Sequence, residues 1–171
     1  MRILEFLLWL GGILLALLML LACSTNPEAS AGARTESAFY VMRHLQKAEG
    51  TDPALSAEGT ANAQRLTAWF EGRPKPTAIF VSTTRRARET AAPLAAALGV
   101  TPREYNPADT PALLARVRAE AGSVLVVGHS NTVPDIVAGL GGARPAPLAE
   151  TDYGSIWVIA KSGGSTERIG L

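Results

Sequence analysis

Val124-Leu125-Val126-Val127-Gly128-His129 is a continuous apolar run that closes on a glycine and a histidine. An uninterrupted run of this kind is typical of a central strand buried on both faces of a sheet. Two similar runs stand at residues 38–43 and 77–81, and polar residues follow each of them. The sequence therefore predicts the central strands of one sheet, with polar side chains at the strand ends.

Helix-like segments separate these strands. Four helices are expected, at residues 56–70, 86–98, 111–121 and 132–140. Ser56 and Asp109 stand where N-caps are expected, and Gly99 stands where a C-cap is expected. A weak strand at 101–105 and an edge or antiparallel strand at 155–160 complete the pattern. This alternation predicts an α/β fold, a three-layer sandwich whose mostly parallel central sheet has helices on both faces.

The first 23 residues have a different character from the rest. Phe6 to Ala22 carries no charge, and it ends at Cys23, the only cysteine in the sequence. Leu20-Leu21-Ala22-Cys23 resembles the lipobox of bacterial lipoproteins, which implies cleavage before Cys23 and acylation of its thiol. An uncleaved transmembrane anchor is the alternative, because the apolar segment only just reaches spanning length. Either outcome predicts a membrane-anchored protein of the cell envelope, outside the cytoplasm.

The remaining chain divides into a linker and one domain. Residues 24–37 are rich in small and polar residues and are expected to be a flexible linker. Residues 38–171 have the length of one domain, which we expect to be a monomer. The formal net charge of +1 leaves no electrostatic footprint for nucleic-acid binding. A single cysteine provides no thiolate metal site, and neither a metal ion nor a cofactor is expected.

Both histidines of the sequence lie at predicted strand ends. His44 closes the first strand directly after Arg43, His129 closes the strand at 124–128, and Arg86 follows the strand at 77–81. In open sheets of this class, ligands bind at the carboxyl ends of the strands. Two imidazoles and two guanidinium groups can surround a phosphoryl group, whose charge is spread over three oxygens. This placement predicts phosphate chemistry.

Three short motifs at these strand ends resemble one family. They are Arg43-His44-Leu45-Gln46, then Ser82, Arg86, Ala87, Thr90 and Ala91, and finally Gly128-His129. In this order and spacing they resemble the histidine phosphatase superfamily, also called phosphoglycerate-mutase-like. The resemblance implies that fold for residues 38–171. It also implies a metal-independent phosphomonoester hydrolase that works through a phosphohistidine.

The resemblance assigns a role to each residue of the expected site. It implies that His44 is the nucleophile, and that Arg43 and Arg86 hold the phosphoryl oxygens through forked, charged donors. It also implies that His129, protonated beside the phosphate, adds a further donor. Asn131 either contacts the phosphate or caps the next helix.

Arg86 has two basic neighbours, Arg85 and Arg88, that invite confusion with it. The spacing from Ser82 selects Arg86, and the other two are expected to be solvated helix charges. Ser82 itself is expected to be a structural turn residue.

Two features depart from the family pattern. Leu45 replaces the usual small residue beside the nucleophile, which predicts a bulkier loop or a narrower pocket. The proton donor for the leaving group is also not obvious. Glu104 is preferred because Asp109 is expected to serve as a helix cap, and Asp52 is a further candidate.

Other functions fit parts of the sequence. Residues 128–132 partly match the nucleophile elbow of serine hydrolases, but the elbow needs glycine where Thr132 stands, and no histidine follows Ser130. A stronger alternative is a catalytically weak or inactive module of the cell envelope that binds phosphate ligands. Hydrolysis is favoured over mutase activity because the domain is short. The expected substrate is a phosphorylated small molecule, or a phosphorylated glycan or lipid of the envelope.

Overall fold

The computed structural model describes residues 36–163 and 165–171. The predicted lipobox at Cys23 and most of the predicted linker lie outside these residues. The elements are β1 (Ala38–Arg43), α1 (Ala57–Trp69), β2 (Ala78–Ser82), α2 (Arg85–Leu98), β3 (Arg103–Tyr105), α3 (Thr110–Arg118), β4 (Val124–Gly128), α4 (Val133–Gly139), β5 (Ser155–Ala160) and β6 (Thr166–Gly170). In the described part of the chain, no helix has the length and hydropathy needed to span a membrane.

The strands form one six-stranded sheet in the order β3-β2-β4-β1-β5-β6. The first four strands in this order run parallel. Strand β5 pairs antiparallel with β1, and β6 pairs antiparallel with β5. Arg43 lies opposite Gly128, and the His44 N–H donates to the Gly128 carbonyl at 2.9 Å. Because parallel strands end at the same edge, the residues that follow β1 and β4 are neighbours.

Two apolar clusters, one on each face of the sheet, form the core. Tyr40, Met42, Leu125 and Val127 pack with α1 and α2, and Phe39, Val41, Val124 and Val126 pack with α3 and α4. Alternate residues of the same strand therefore bury against opposite helix layers. The three-layer α/β prediction is confirmed.

The predicted caps are present. Ser56 Oγ accepts from the Gly59 N–H at 3.1 Å, and an Asp109 carboxylate oxygen accepts from the Ala112 N–H at 3.0 Å. Gly99 ends α2 in the left-handed region, with φ 66°, where glycine carries no steric penalty. The helix boundaries differ from the predicted ones by up to three residues, as is usual where helix ends fray.

The sequence analysis missed β6. This strand pairs with β5 on the side away from β1, so β5 is an antiparallel strand but not an edge strand. The residues of β6 are mostly exposed and polar, so they lack the apolar signal that marks the other strands. Beyond it, the Leu171 N–H donates to the Gly154 carbonyl at 2.8 Å.

Candidate active site

A pocket of about 350 Å³ lies at the carboxyl ends of β1, β2 and β4. Its lining residues are polar apart from Pro107, and they include Arg43, His44, Arg86, His129, Asn131 and Glu150. The structure thus brings together five of the residues that the sequence analysis singled out. Within residues 36–163 and 165–171, no group of three His, Cys, Asp or Glu side chains is placed to hold a metal ion.

Two hydrogen bonds define the protonation state of the buried His44 ring. Nδ1 lies 2.8 Å from the Leu45 carbonyl oxygen, which can only accept, so Nδ1 carries the proton. Arg86 Nε–H donates to His44 Nε2 at 3.0 Å. The arginine has no lone pair to offer, so Nε2 must present its own. His44 is therefore a neutral ring with a nucleophilic lone pair at Nε2.

Burial, together with the positive charges of the pocket, keeps both imidazoles neutral. Burial lowers the pKa of His44 to about 3, and neighbouring His129, Arg86 and Arg43 act in the same direction, against the hydrogen bond to Leu45. Burial, followed by Arg86 and Arg43, lowers the pKa of His129 to about 4. The expected protonated His129 therefore requires an anion beside it, because only a negative charge would offset these causes.

Arg86 links the two histidines. Besides its bond to His44, its Nη2 lies 3.4 Å from His129 Nδ1. Its Nη1 lies 3.6 Å from an Asp52 carboxylate oxygen. One guanidinium group at the start of α2 therefore spans the pocket between both rings.

The other two arginines of this helix serve different partners. Arg85 pairs with Glu89 at 2.7 Å, one turn along the helix. Arg88 pairs with Glu104 at 3.1 Å, and both line a separate, mainly apolar cavity of about 520 Å³ beside α2 and β3. Neither Arg85 nor Arg88 lines the pocket at the carboxyl ends of β1, β2 and β4.

Glu104 is accordingly not placed to donate a proton to a leaving group. It lies in the short edge strand β3, and its carboxylate is engaged by Arg88 outside the pocket. The sequence favours Glu104 because Asp109 serves as a helix cap, but the structure places the Glu104 carboxylate on Arg88, away from the pocket residues.

His129 is held by a residue that was expected to be merely a turn residue. Ser82 Oγ lies 2.7 Å from His129 Nε2 and 3.1 Å from Thr84 Oγ1. Because Arg86 donates toward Nδ1, the ring proton is on Nε2 and is donated to Ser82. Ser82 is fully buried at the end of β2, and it fixes which nitrogen of His129 faces the pocket.

Arg43 is clamped by a loop that the sequence analysis did not identify. Its Nη1 donates to the carbonyl oxygens of Ala149, Glu150 and Asp152 at 2.7, 3.1 and 3.3 Å. Its Nη2 donates to the Glu150 carboxylate at 3.0 Å, and its guanidinium lies 4.3 Å from the centre of the Tyr153 ring. Its buried Nε has no hydrogen-bond partner among the described residues.

Leu45 does not narrow the pocket, contrary to expectation. Its side chain is completely buried in the core on the α1 and α2 side of the sheet. Its N–H donates to Thr90 Oγ1 at 3.0 Å, and the Thr90 hydroxyl donates to the Arg86 carbonyl at 2.8 Å. The Leu45 side chain thus fills the core, while its backbone N–H connects the loop after His44 to α2.

Comparisons with known proteins agree with this geometry. The family model described as Histidine phosphatase superfamily (branch 1) matches residues 39–108. No curated protein matches the chain by sequence.

Several solved structures share the fold. The protein histidine phosphatase SixA complexed with tungstate has a TM-score of 0.62 and 21% identity, over 78% of this chain and 96% of that one. A mycobacterial glucosyl-3-phosphoglycerate phosphatase has a TM-score of 0.58 and 15% identity, over 79% and 98% of the two chains. A protein from Thermus thermophilus has a TM-score of 0.56 and 19% identity, over 78% and 99%.

These identities show a common fold, and the family match covers the nucleophile loop and the Arg86 motif. The likeness to these structures is one of fold, and the likeness to the family is one of residues 39–108.

Proposed function

We propose that this protein hydrolyses phosphomonoesters through a phosphohistidine at His44, without a metal ion. The observation that carries the proposal is the neutral His44 ring, whose Nε2 lone pair lies in the pocket 3.0 Å from Arg86 Nε. A neutral imidazole can attack phosphorus without a separate base. Because its pKa is about 3, His44 holds this form at any ordinary pH.

The pocket supplies the electrostatic part of the reaction. Arg43 and Arg86 offer permanently charged donors to the phosphoryl oxygens, whose charge they stabilise in the transition state. Arg86 exchanges its bond with His44 Nε2 for one with the phosphate, which releases the lone pair for in-line attack. A bound dianion also raises the pKa of His129, so that this ring gains a proton and becomes a further donor.

The polar pocket supports the proposed class of substrate, and the N-terminal sequence supports the proposed location. We propose a phosphorylated small molecule, or a phosphorylated glycan or lipid of the cell envelope, as substrate. The name of the mycobacterial neighbour indicates that this fold can act on a small phosphorylated acid. Leu20 to Cys23 supports a lipid-anchored protein outside the cytoplasm.

The catalytic proposal is tested with the full chain in detergent, assayed against a phosphomonoester panel with a chelator present. The wild type should turn over and give an acid-labile, base-stable phosphoryl label on His44. His44→Ala should lose both. A label on Ser130, or turnover in the variant, would contradict the mechanism, and tight phosphate binding without turnover would favour the binding module.

The proposed location is tested by fatty-acid labelling of Cys23 and by its replacement. Cys23→Ser should block fatty-acid labelling and leave a larger precursor, whereas the wild type begins at an acylated Cys23. A wild-type protein of full mass with Met1 intact would establish the uncleaved anchor instead.

A further inference from the structure

The proposed reaction needs a proton for the leaving oxygen, and the structure offers a donor other than Glu104. Among the described residues that line the pocket, Glu150 is the only carboxylate. Asp52 contacts Arg86 at 3.6 Å but does not line the pocket. Glu150 is therefore the acidic side chain that a bound ester would meet.

Both oxygens of Glu150 are held at the pocket wall. Oε2 accepts from Arg43 Nη2 at 3.0 Å, and Oε1 accepts from Ser130 Oγ at 3.3 Å. Ser130 directly follows His129, so the Glu150 carboxylate links Arg43, the last residue of β1, to the segment after β4. The side chain is 79% exposed, so it can exchange protons with water.

We propose that Glu150 is the acid–base catalyst of the reaction at His44, an inference that rests on the proposed function. As His44 Nε2 forms its bond to phosphorus, the P–O bond breaks and its electron pair stays on the leaving oxygen. The Glu150 proton moves to that oxygen, which gives the alcohol and a carboxylate. Water then attacks phosphorus and gives its proton to Glu150, and the N–P electron pair returns to His44.

Substrate binding would bring Glu150 to the protonation state that the first step requires. The charge of Arg43, and then its hydrogen bond, lower the pKa of Glu150, while burial acts in the opposite direction. Ser130 and Lys47 make smaller contributions that also lower the pKa. These groups face the carboxylate from β1, from the loop after β1 and from the loop after β4. A phosphate dianion on Arg43 offsets its charge and repels the carboxylate, so the pKa of Glu150 rises when the ester binds.

The test uses Glu150→Gln, which keeps the size of the side chain and removes the proton. Phosphorylation of His44 in a single turnover is measured with glycerol phosphate, whose alkoxide is a poor leaving group, and with p-nitrophenyl phosphate, whose phenolate is a good one. We expect about 10²-fold slower phosphorylation by glycerol phosphate and little change with p-nitrophenyl phosphate. The matched control, Glu104→Gln, should leave both rates unchanged.

Equal losses with both esters in Glu150→Gln would overturn the proposal, because a residue that merely positions Arg43 affects every substrate alike. A selective loss of the glycerol phosphate reaction in Asp52→Asn, with none in Glu150→Gln, would also overturn it. If wild-type protein formed no phosphohistidine with either ester, the proposed function itself would fail. The two failures are therefore distinguishable.

Discussion

Arg86 Nε donates to His44 Nε2 at 3.0 Å, so the guanidinium group that we propose binds phosphate is in contact with the nitrogen that we propose attacks it. The Arg86 guanidinium and His44 Nε2 are therefore close enough for one bound phosphoryl group to contact both. It also keeps the lone pair engaged by a donor until the phosphate displaces it.

Arg86→Ala should therefore reduce turnover far more than Arg85→Ala or Arg88→Ala. Loss of one charge-assisted contact to the transition state typically costs about 10² to 10³ in rate. Arg85 and Arg88 pair with Glu89 and Glu104 outside the pocket, so their variants should retain most activity. Steady-state kinetics on the three purified variants check this, and equal losses would refute the assignment of Arg86.

Ser82→Ala should impair His129 without unfolding the domain. The 2.7 Å contact between Ser82 Oγ and His129 Nε2 sets the orientation of the ring. A hydrogen bond worth about 1 kcal/mol corresponds to a roughly fivefold loss of turnover. Ser155→Ala, at the half-buried start of β5, is the matched control. A Ser82→Ala variant as active as wild type would show that Ser82 does not position His129.

Acid should destabilise the folded protein through its two histidines. The folded-state pKa values, about 3 for His44 and about 4 for His129, lie below the unfolded value of about 6.5. The stability that depends on the neutral histidines is fully present above pH 6.5. It is lost as the pH falls toward about 4 for His129 and about 3 for His44, because the unfolded chain then binds more protons. Each histidine should cost on the order of 1 kcal/mol by pH 5.5.

Thermal unfolding of wild type and His44→Gln between pH 7 and pH 5 measures this effect. Carboxylates titrate in both proteins, so the difference between their slopes isolates the histidine. Parallel slopes would mean that His44 is not held neutral by burial.

Gly59→Ala should displace the loop after His44 and destabilise the domain. A Cβ at Gly59, in the first turn of α1, would lie 2.0 Å from the Gln46 carbonyl oxygen, so the loop after His44 would have to move. We expect a loss of about 1 to 3 kcal/mol in unfolding free energy, measured by denaturant titration. Gly170→Ala, where a Cβ meets nothing within 4 Å, is the control.

The sequence predicted five of the six strands, the four helices and the positions of Arg43, His44, Arg86 and His129, because each signal was local. Apolar runs mark β1, β2 and β4, and the motif residues directly follow them. The loop around Arg43 gave no such signal, since it binds the guanidinium largely through backbone carbonyls that any residue would supply. The place of Glu150 in the pocket and the contact of Ser82 with His129 were not predicted for a related reason, because their partners lie 107 and 47 residues away in the sequence.

The hydrogen bond between the Leu171 N–H and the Gly154 carbonyl connects the residue after β6 to the segment that holds Arg43. Gly154 directly follows Tyr153, whose ring covers Arg43. Loss of this hydrogen bond would loosen the segment that holds the Arg43 guanidinium, although neither Gly170 nor Leu171 lines the pocket. A change at Leu171 would therefore reach Arg43 without any contact with a bound ligand.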